Sequence, residues 1–168
     1  MKLKSTLALS TAATIVDEAL RTGRENAMHP LTVVVLDSGG RIVAAKSEDG
    51  SGILRFDIAL GKGWGALGMG ISSRLIRDRL SKRVAFQNAL AAASDGKFVP
   101  VPGGVLIVDG EGFTIGAVGI SGDTSEKDEY CAITSIKAAG LQSEPADVDA
   151  HWKTSSLSDA DHESQSKT

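Results

Sequence analysis

Histidine, cysteine and serine side chains are the groups with which this sequence could bind a metal ion or attack a substrate. The histidines are His29, His151 and His162, and none has a cysteine, histidine or carboxylate partner at the spacing of a zinc site. His29 stands before Pro30, just ahead of the first predicted strand, where it is either a solvent-facing loop residue or a metal ligand. We therefore expect no closed metal site, and His29 is the candidate metal ligand.

Nucleophilic catalysis has no support in the sequence. Cys131 is the single cysteine, and its apolar neighbours Ala132, Ile133 and Ile136 at helical spacing predict a small buried side chain with no reactivity. No GxSxG pattern is present, and no serine has a histidine and an acid at a recognisable spacing.

Glycines are concentrated between residues 61 and 70. Residues 63–68 match GxGxxG, but a predicted helix precedes them where a dinucleotide-binding turn requires a strand. Gly61-Lys62 is no phosphate loop either, because Gly63 stands where a serine or threonine must reach magnesium. Five glycines destabilise an isolated helix by about 1 kcal/mol each, so we expect close approach to a neighbouring element or a ligand.

Two further groups are candidate site residues. In Pro102-Gly103-Gly104 the glycines either expose backbone N–H groups that bind a carboxylate or simply form a tight start to a strand. Asp128 and Glu129 either compensate the dipole at the start of a helix or line a site. The residues alone leave both alternatives open.

Hydrophobic periodicity places these residues on helices and hairpins. It predicts a helix from Ser10, as N-cap, to about residue 27, strands over 31–36 and 41–47, and helices over 54–66 and 72–93, the latter broken near Ser81. A shaped loop over 95–104 precedes strands 105–109 and 113–120 and a last helix from 123–125 to Gly140. Because tight turns join adjacent strands, the predicted class is α+β with antiparallel pairing.

Composition and length limit the partners, the location and the number of domains that we expect. The 168 residues carry a formal net charge of -3, which disfavours a nucleic-acid partner, and no apolar run is long enough to span a membrane. A chain without a secretory signal pattern is expected in the cytoplasm. We predict one domain over 1–141 and a polar, mobile tail over 142–168, unless Trp152 anchors that tail on a partner surface.

Several blocks together resemble the GlcG/HbpS family, also called haem-degrading, which includes the C-terminal domain of PduO-type proteins. The resemblance covers roughly residues 8–140 and is carried by residues 34–40, 57–62, 101–107 and 115–122, followed by Asp128 and Glu129. It implies a profilin-like central antiparallel sheet of about five strands flanked by helices. It also implies homo-oligomers, often octamers, with ligand pockets near subunit interfaces. The chain departs from the family pattern at Gly63, where alanine is usual.

The resemblance implies haem or a related tetrapyrrole as cofactor, with slow oxidative haem breakdown as an associated activity. Arg55 and Lys62 would then pair with the propionates, Gly103 and Gly104 would offer backbone donors, and His29 would bind the iron.

The resemblance also fits a metal-free enzyme of a catabolic operon that acts on a small carboxylate or carbonyl compound. In that hypothesis Lys62 binds the anion and Glu129 or Asp128 exchanges a proton. A structural or chaperone-like oligomer without chemistry is the third possibility.

Overall fold

The computed structural model describes residues 4–157, which form five helices and five strands. In chain order these are α1 (Leu9–Glu25), β1 (Thr32–Asp37), β2 (Ile42–Ser47), α2 (Leu54–Met69), α3 (Ser73–Leu80), α4 (Val84–Ala93), β3 (Gly104–Val108), β4 (Thr114–Ser121), α5 (Ser125–Ala138) and β5 (Gln142–Glu144). No helix in this part of the chain has the length and apolar character needed to cross a bilayer.

The strands form one antiparallel sheet in the order β2-β1-β4-β3-β5. Two hairpins, β1–β2 and β3–β4, are joined along β1 and β4, where Val34 lies opposite Gly119. This confirms the predicted α+β class, the two hairpins and the antiparallel sheet of five strands flanked by helices.

Helices cover both faces of the sheet at β1. Alternate side chains of a strand point to opposite faces, so β1 packs against helices on both sides. On one face, Val33 and Val35 of β1 belong to the main core together with buried residues of α1 and α5, among them Ile15 and Ile133. On the other face, Val34 and Leu36 pack against α2 at Ala59. Burial on both sides explains why β1 is almost continuously apolar.

Glycines bring α2 into direct contact with β4. A Cβ atom added to Gly119 would overlap the carbonyl oxygen of Ala59, and one added to Gly63 would lie 3.2 Å from the backbone nitrogen of Gly119. The expectation that the glycine-rich run permits close approach is thus confirmed, and β4 is the neighbouring element. Residues 63–68 lie within α2 and not at a turn between a strand and a helix.

Some element bounds differ from the predicted ones. α1 begins at Leu9 after an N-cap at Ala8, so Ser10 is a helical residue and not the cap. α2 continues to Met69, because the close packing of its glycines outweighs their low helix propensity: Gly63 lies against β4, and Gly61 and Gly65 lie against Val99 and Phe98. The predicted break near Ser81 is present between Leu80 and Val84.

The segment after residue 141 also differs from the expectation of a mobile tail. Gln142–Glu144 pairs with β3 at the edge of the sheet. Further on, Trp152 is buried and stacks on Tyr130 of α5, with 3.6 Å between the ring centroids. Backbone pairing and this aromatic contact place the first part of the segment on the domain. The rest of the predicted tail, residues 158–168, lies outside the described residues.

Candidate functional site

His29 and Arg55 line one cleft of about 350 Å³. Three connecting segments form it: the loop before β1, the loop between β2 and α2, and the turn after β4. The other lining residues are Pro30, Gly50, Ser51, Gly52, Gly122 and Leu157. The cleft therefore combines an imidazole, a guanidinium, a hydroxyl and exposed backbone.

Arg55 is a half-buried cation at the start of α2. Its Nη1 donates a hydrogen bond of 3.3 Å to the Ser121 hydroxyl. Among residues 4–157, no carboxylate oxygen lies within 4.0 Å of a nitrogen of this guanidinium. A positive charge in a cleft without an ion-pair partner is suited to binding an anionic group of a ligand.

The backbone of His29 is fixed on both sides while its side chain is exposed. Its N–H donates to Asp123 Oδ2 over 2.9 Å, and its carbonyl accepts from Arg24 Nη2 over 2.9 Å. Burial would raise the pKa of Asp123, but hydrogen bonds from the backbone N–H groups of His29 and Thr124 and from Lys127 hold that pKa below its usual value. A charged acceptor thus anchors the segment that carries the imidazole.

Gly122 allows the turn after β4 to form one wall of the cleft. A Cβ atom at this position would overlap the carbonyl oxygen of Pro30 and lie 2.6 Å from the side chain of Leu31. Only glycine fits there without movement of the strand.

Gly122 and residues 50–52 were not predicted as site residues. The Gly50-Ser51-Gly52 sequence was the available signal, because two glycines around a serine are typical of an exposed loop.

Lys62 does not line this cleft and forms a buried ion pair with Asp128. Its Nζ is 2.8 Å from Asp128 Oδ2, and the two side chains are 2% and 1% exposed. The other carboxylate oxygen of Asp128 accepts the backbone N–H of Asp123 over 3.1 Å. Burial raises the pKa of Asp128 even though the Lys62 ammonium opposes that shift. The pair joins α2 to the start of α5.

The two predicted backbone donors lie beside this ion pair. Gly103 has a φ of +115°, and a Cβ atom there would meet Lys62 Nζ at 2.9 Å. The N–H of Gly104 donates to the Ser73 hydroxyl over 2.7 Å in the buried interior. The Gly104 N–H is thus bonded within the protein, which at this position favours the alternative of a tight start to β3.

Glu129 forms a second acidic centre, next to α3. Its Oε1 accepts a hydrogen bond of 3.1 Å from Arg74 Nε, and Oε2 lies 3.0 Å from Arg74 Nη2 but outside hydrogen-bond geometry. Burial raises the pKa of Glu129 to about 7, against the opposing charge of Arg74. This value suits proton exchange near neutral pH, but the carboxylate is 0% exposed.

The predicted site residues therefore separate into three places. The cleft contains His29 and Arg55, the α2–α5 contact contains Lys62, Gly103 and Asp128, and the α3–α5 contact contains Glu129. The residues of the enzyme hypothesis are all buried and ion-paired, so they do not face a shared cleft in this structure.

The remaining candidate groups are the metal-ligating side chains and the thiol. Within residues 4–157, no group of three or more histidine, cysteine or acidic side chains is placed to hold a metal ion. Cys131 is buried, as predicted, and burial raises the pKa of its thiol well above the ordinary value.

A family model described as "Haem degrading protein HbpS-like" matches residues 7–137. No curated protein matches the chain.

Solved structures match across most of the chain at low sequence identity. The PduOC:heme complex is 22% identical with a TM-score of 0.71, and covers 82% of this chain and 98% of its own. Klebsiella pneumoniae protein ORFY is 22% identical with a TM-score of 0.73, and covers 83% and 94%. A double mutant of Streptomyces reticuli HbpS is 19% identical with a TM-score of 0.68, and covers 82% and 90%. At these identities the structures support the fold.

Proposed function

Because the chain belongs to the family of haem-degrading HbpS-like proteins, we propose that it binds haem or a related tetrapyrrole in the cleft lined by His29 and Arg55. The observation that carries the proposal is that two groups from different segments line the same cleft: an exposed imidazole, and a guanidinium with no carboxylate of residues 4–157 within 4.0 Å. One structural relative of the same fold is described as a heme complex, which adds support at the level of ligand class.

The residues of the cleft fit the chemistry of such a ligand. An imidazole nitrogen is a common axial ligand of haem iron, and a guanidinium pairs with a propionate carboxylate through two hydrogen bonds. Leu157 and Pro30 offer apolar surface to the ring. When bound, haem would supply a redox-active iron, which is the chemistry that slow oxidative breakdown of the ring requires.

Lys62 has no place in this binding site. Its ammonium is buried and paired with Asp128, so binding a propionate would require the α2–α5 contact to open. Arg55 is therefore the proposed propionate partner.

The size of the cleft supports assembly of several chains around the ligand. A volume of about 350 Å³ is near the lower limit of the roughly 300–1,000 Å³ usual for small-molecule pockets. A tetrapyrrole would be enclosed only in part by one chain. We therefore include homo-oligomer formation in the proposal, with a second chain covering the open side of the ring.

Titration of the purified protein with haemin tests the binding proposal. We expect a shifted Soret band that saturates at one haemin per chain or per dimer. His29→Ala should abolish the shift that arises from imidazole ligation, and Arg55→Gln should weaken binding about tenfold through loss of a charged hydrogen bond.

Matched control variants distinguish haemin binding in the cleft from nonspecific binding. His151→Ala and Arg41→Gln remove the same side-chain types from exposed positions outside the cleft and should leave the titration unchanged. A flat titration with the wild-type protein would contradict the proposal. So would a His29→Ala variant that binds haemin with the wild-type spectrum.

A further inference from the structure

Residues 145–157, which we call the strap, follow β5 and contain no helix or strand. They lie beyond residues 7–137, the range that the family model matches. An irregular segment of this length loses much backbone entropy when it is held in one place, so specific contacts must hold it on the domain. Those contacts show where the strap leads.

The strap runs along α5 in the direction opposite to that helix. Three contacts join the two in reverse order: Ala146 to Lys137, Trp152 to Tyr130, and Ser155 to Thr124. The first is a hydrogen bond of 2.6 Å from the ammonium group to the backbone carbonyl, the second is the aromatic stack, and in the third the hydroxyl oxygens are 2.6 Å apart. The strap therefore returns the chain from the sheet edge to the start of α5.

The strap reaches the proposed binding cleft at Leu157. This side chain lines the cleft together with His29, Arg55 and Gly122, and it is 40% exposed. Thr124, the N-cap residue of α5, lies just after the turn that forms one wall of the cleft, so its contact with the strap fixes the backbone close to Leu157. Leu157 thus presents apolar surface to the cleft from a fixed position.

Trp152 is the main anchor of the strap. It is 9% exposed, belongs to the main hydrophobic core, and lies nearly parallel to the Tyr130 ring, with 8° between the planes. A stacked aromatic pair stabilises beyond the area it buries. The carbonyl of Asp147 also accepts a hydrogen bond of 2.7 Å from Arg74 Nη2, but that contact is exposed to solvent. Removing the Trp152 ring is therefore the single change expected to free the strap.

We infer that the strap completes the binding cleft, with Leu157 as a residue that contacts the tetrapyrrole and Trp152 as a positioning residue that acts through Leu157. A wall held in place before the ligand arrives strengthens binding, because no further ordering is needed at that step. The inference rests on the proposed function and goes beyond it, since it assigns part of the cleft to a segment outside the family match.

Haemin titration of Leu157→Ala, Trp152→Ala and the double variant tests the inference. Each single variant should bind haemin about fivefold more weakly, because the apolar contact of Leu157 with the ring is lost in both. If Trp152 acts through Leu157, the double variant should also lose only about fivefold, whereas independent effects would multiply to about 25-fold. Trp152→Phe keeps an aromatic stack and should restore affinity close to that of the wild type.

Hydrogen exchange without haemin checks the positioning role directly. Trp152→Ala should exchange faster over residues 145–157 while the amides of β1, β3 and β4 stay protected, which also shows that the variant is folded. Leu9→Ala removes the same side chain as Leu157→Ala from an exposed position outside the cleft, so it should leave haemin affinity unchanged.

The outcomes separate this inference from the binding proposal. Wild-type affinity in Leu157→Ala, multiplied effects in the double variant, or unchanged exchange of the strap in Trp152→Ala would overturn the inference and leave haemin binding intact. An equal loss of affinity in Leu9→Ala would overturn it as well. A flat titration of the wild-type protein would overturn the binding proposal and, with it, the role assigned to Leu157.

Discussion

Some charged residues of this chain form ion pairs across long distances in sequence, and such pairs cannot be predicted from the sequence alone. Lys62 and Asp128 are 66 positions apart, yet their side chains lie 2.8 Å apart in the interior. Both were predicted as site residues because lysine and aspartate near glycine blocks suit ligand binding. Their contact depends on how α2 and α5 pack on opposite faces of the sheet, which no local pattern contains.

Removing one member of the buried pair should strongly destabilise the protein. Lys62→Met leaves the Asp128 carboxylate buried without its counterion, and we expect the free energy of unfolding to fall by about 3–5 kcal/mol. Adding Asp128→Asn removes the unpaired charge and should restore part of that loss. Urea denaturation measures both effects.

The control for this prediction is Lys46→Met, which breaks an exposed ion pair with Asp17 and should change stability by less than about 1 kcal/mol. A Lys62→Met variant as stable as the wild type would show that the buried pair contributes nothing to the fold.

At the scale of elements, α2 illustrates what a sequence pattern can and cannot predict. Its glycines predict close approach, and the structure shows that Gly63 lies against Gly119 of β4. The pattern does not identify the neighbouring element, because that follows from strand order. The order of helices and hairpins was also predictable, because hydrophobic periodicity, turn residues and proline determine the structure of short stretches of sequence. The pairing of β5 was not, because three polar residues carry no strand signal.

Two glycines of α2 should respond in opposite ways to alanine. Gly63→Ala forces a Cβ against the backbone of β4 at 3.2 Å and should destabilise the protein by about 1–3 kcal/mol. Gly68→Ala meets only the Trp64 ring at 3.7 Å, an ordinary contact, and should stabilise α2 by up to about 1 kcal/mol through helix propensity. Thermal denaturation of the two variants checks the contrast. Equal changes in melting temperature would contradict the direct packing of α2 on β4.

At the scale of the whole molecule, the binding proposal depends on three segments that are distant in sequence. Residue 29 precedes the first hairpin, residues 50–52 lie between that hairpin and α2, residue 55 is in the first turn of α2, and residue 122 follows the second hairpin. The antiparallel pairing of β1 with β4 brings these segments to one end of the sheet. The sequence supplied His29 and Arg55 as separate candidates, and the sheet order places them in one cleft. The same order leaves Lys62, Asp128 and Glu129 in the interior.

The most direct test of the central claim is a crystal structure of the protein with haemin, in which anomalous scattering at the iron absorption edge locates the metal. We predict iron bonded to the imidazole of His29 and a propionate hydrogen-bonded to the guanidinium of Arg55. Iron at any position outside this cleft, with His29 and Arg55 free of the ligand, would contradict the account.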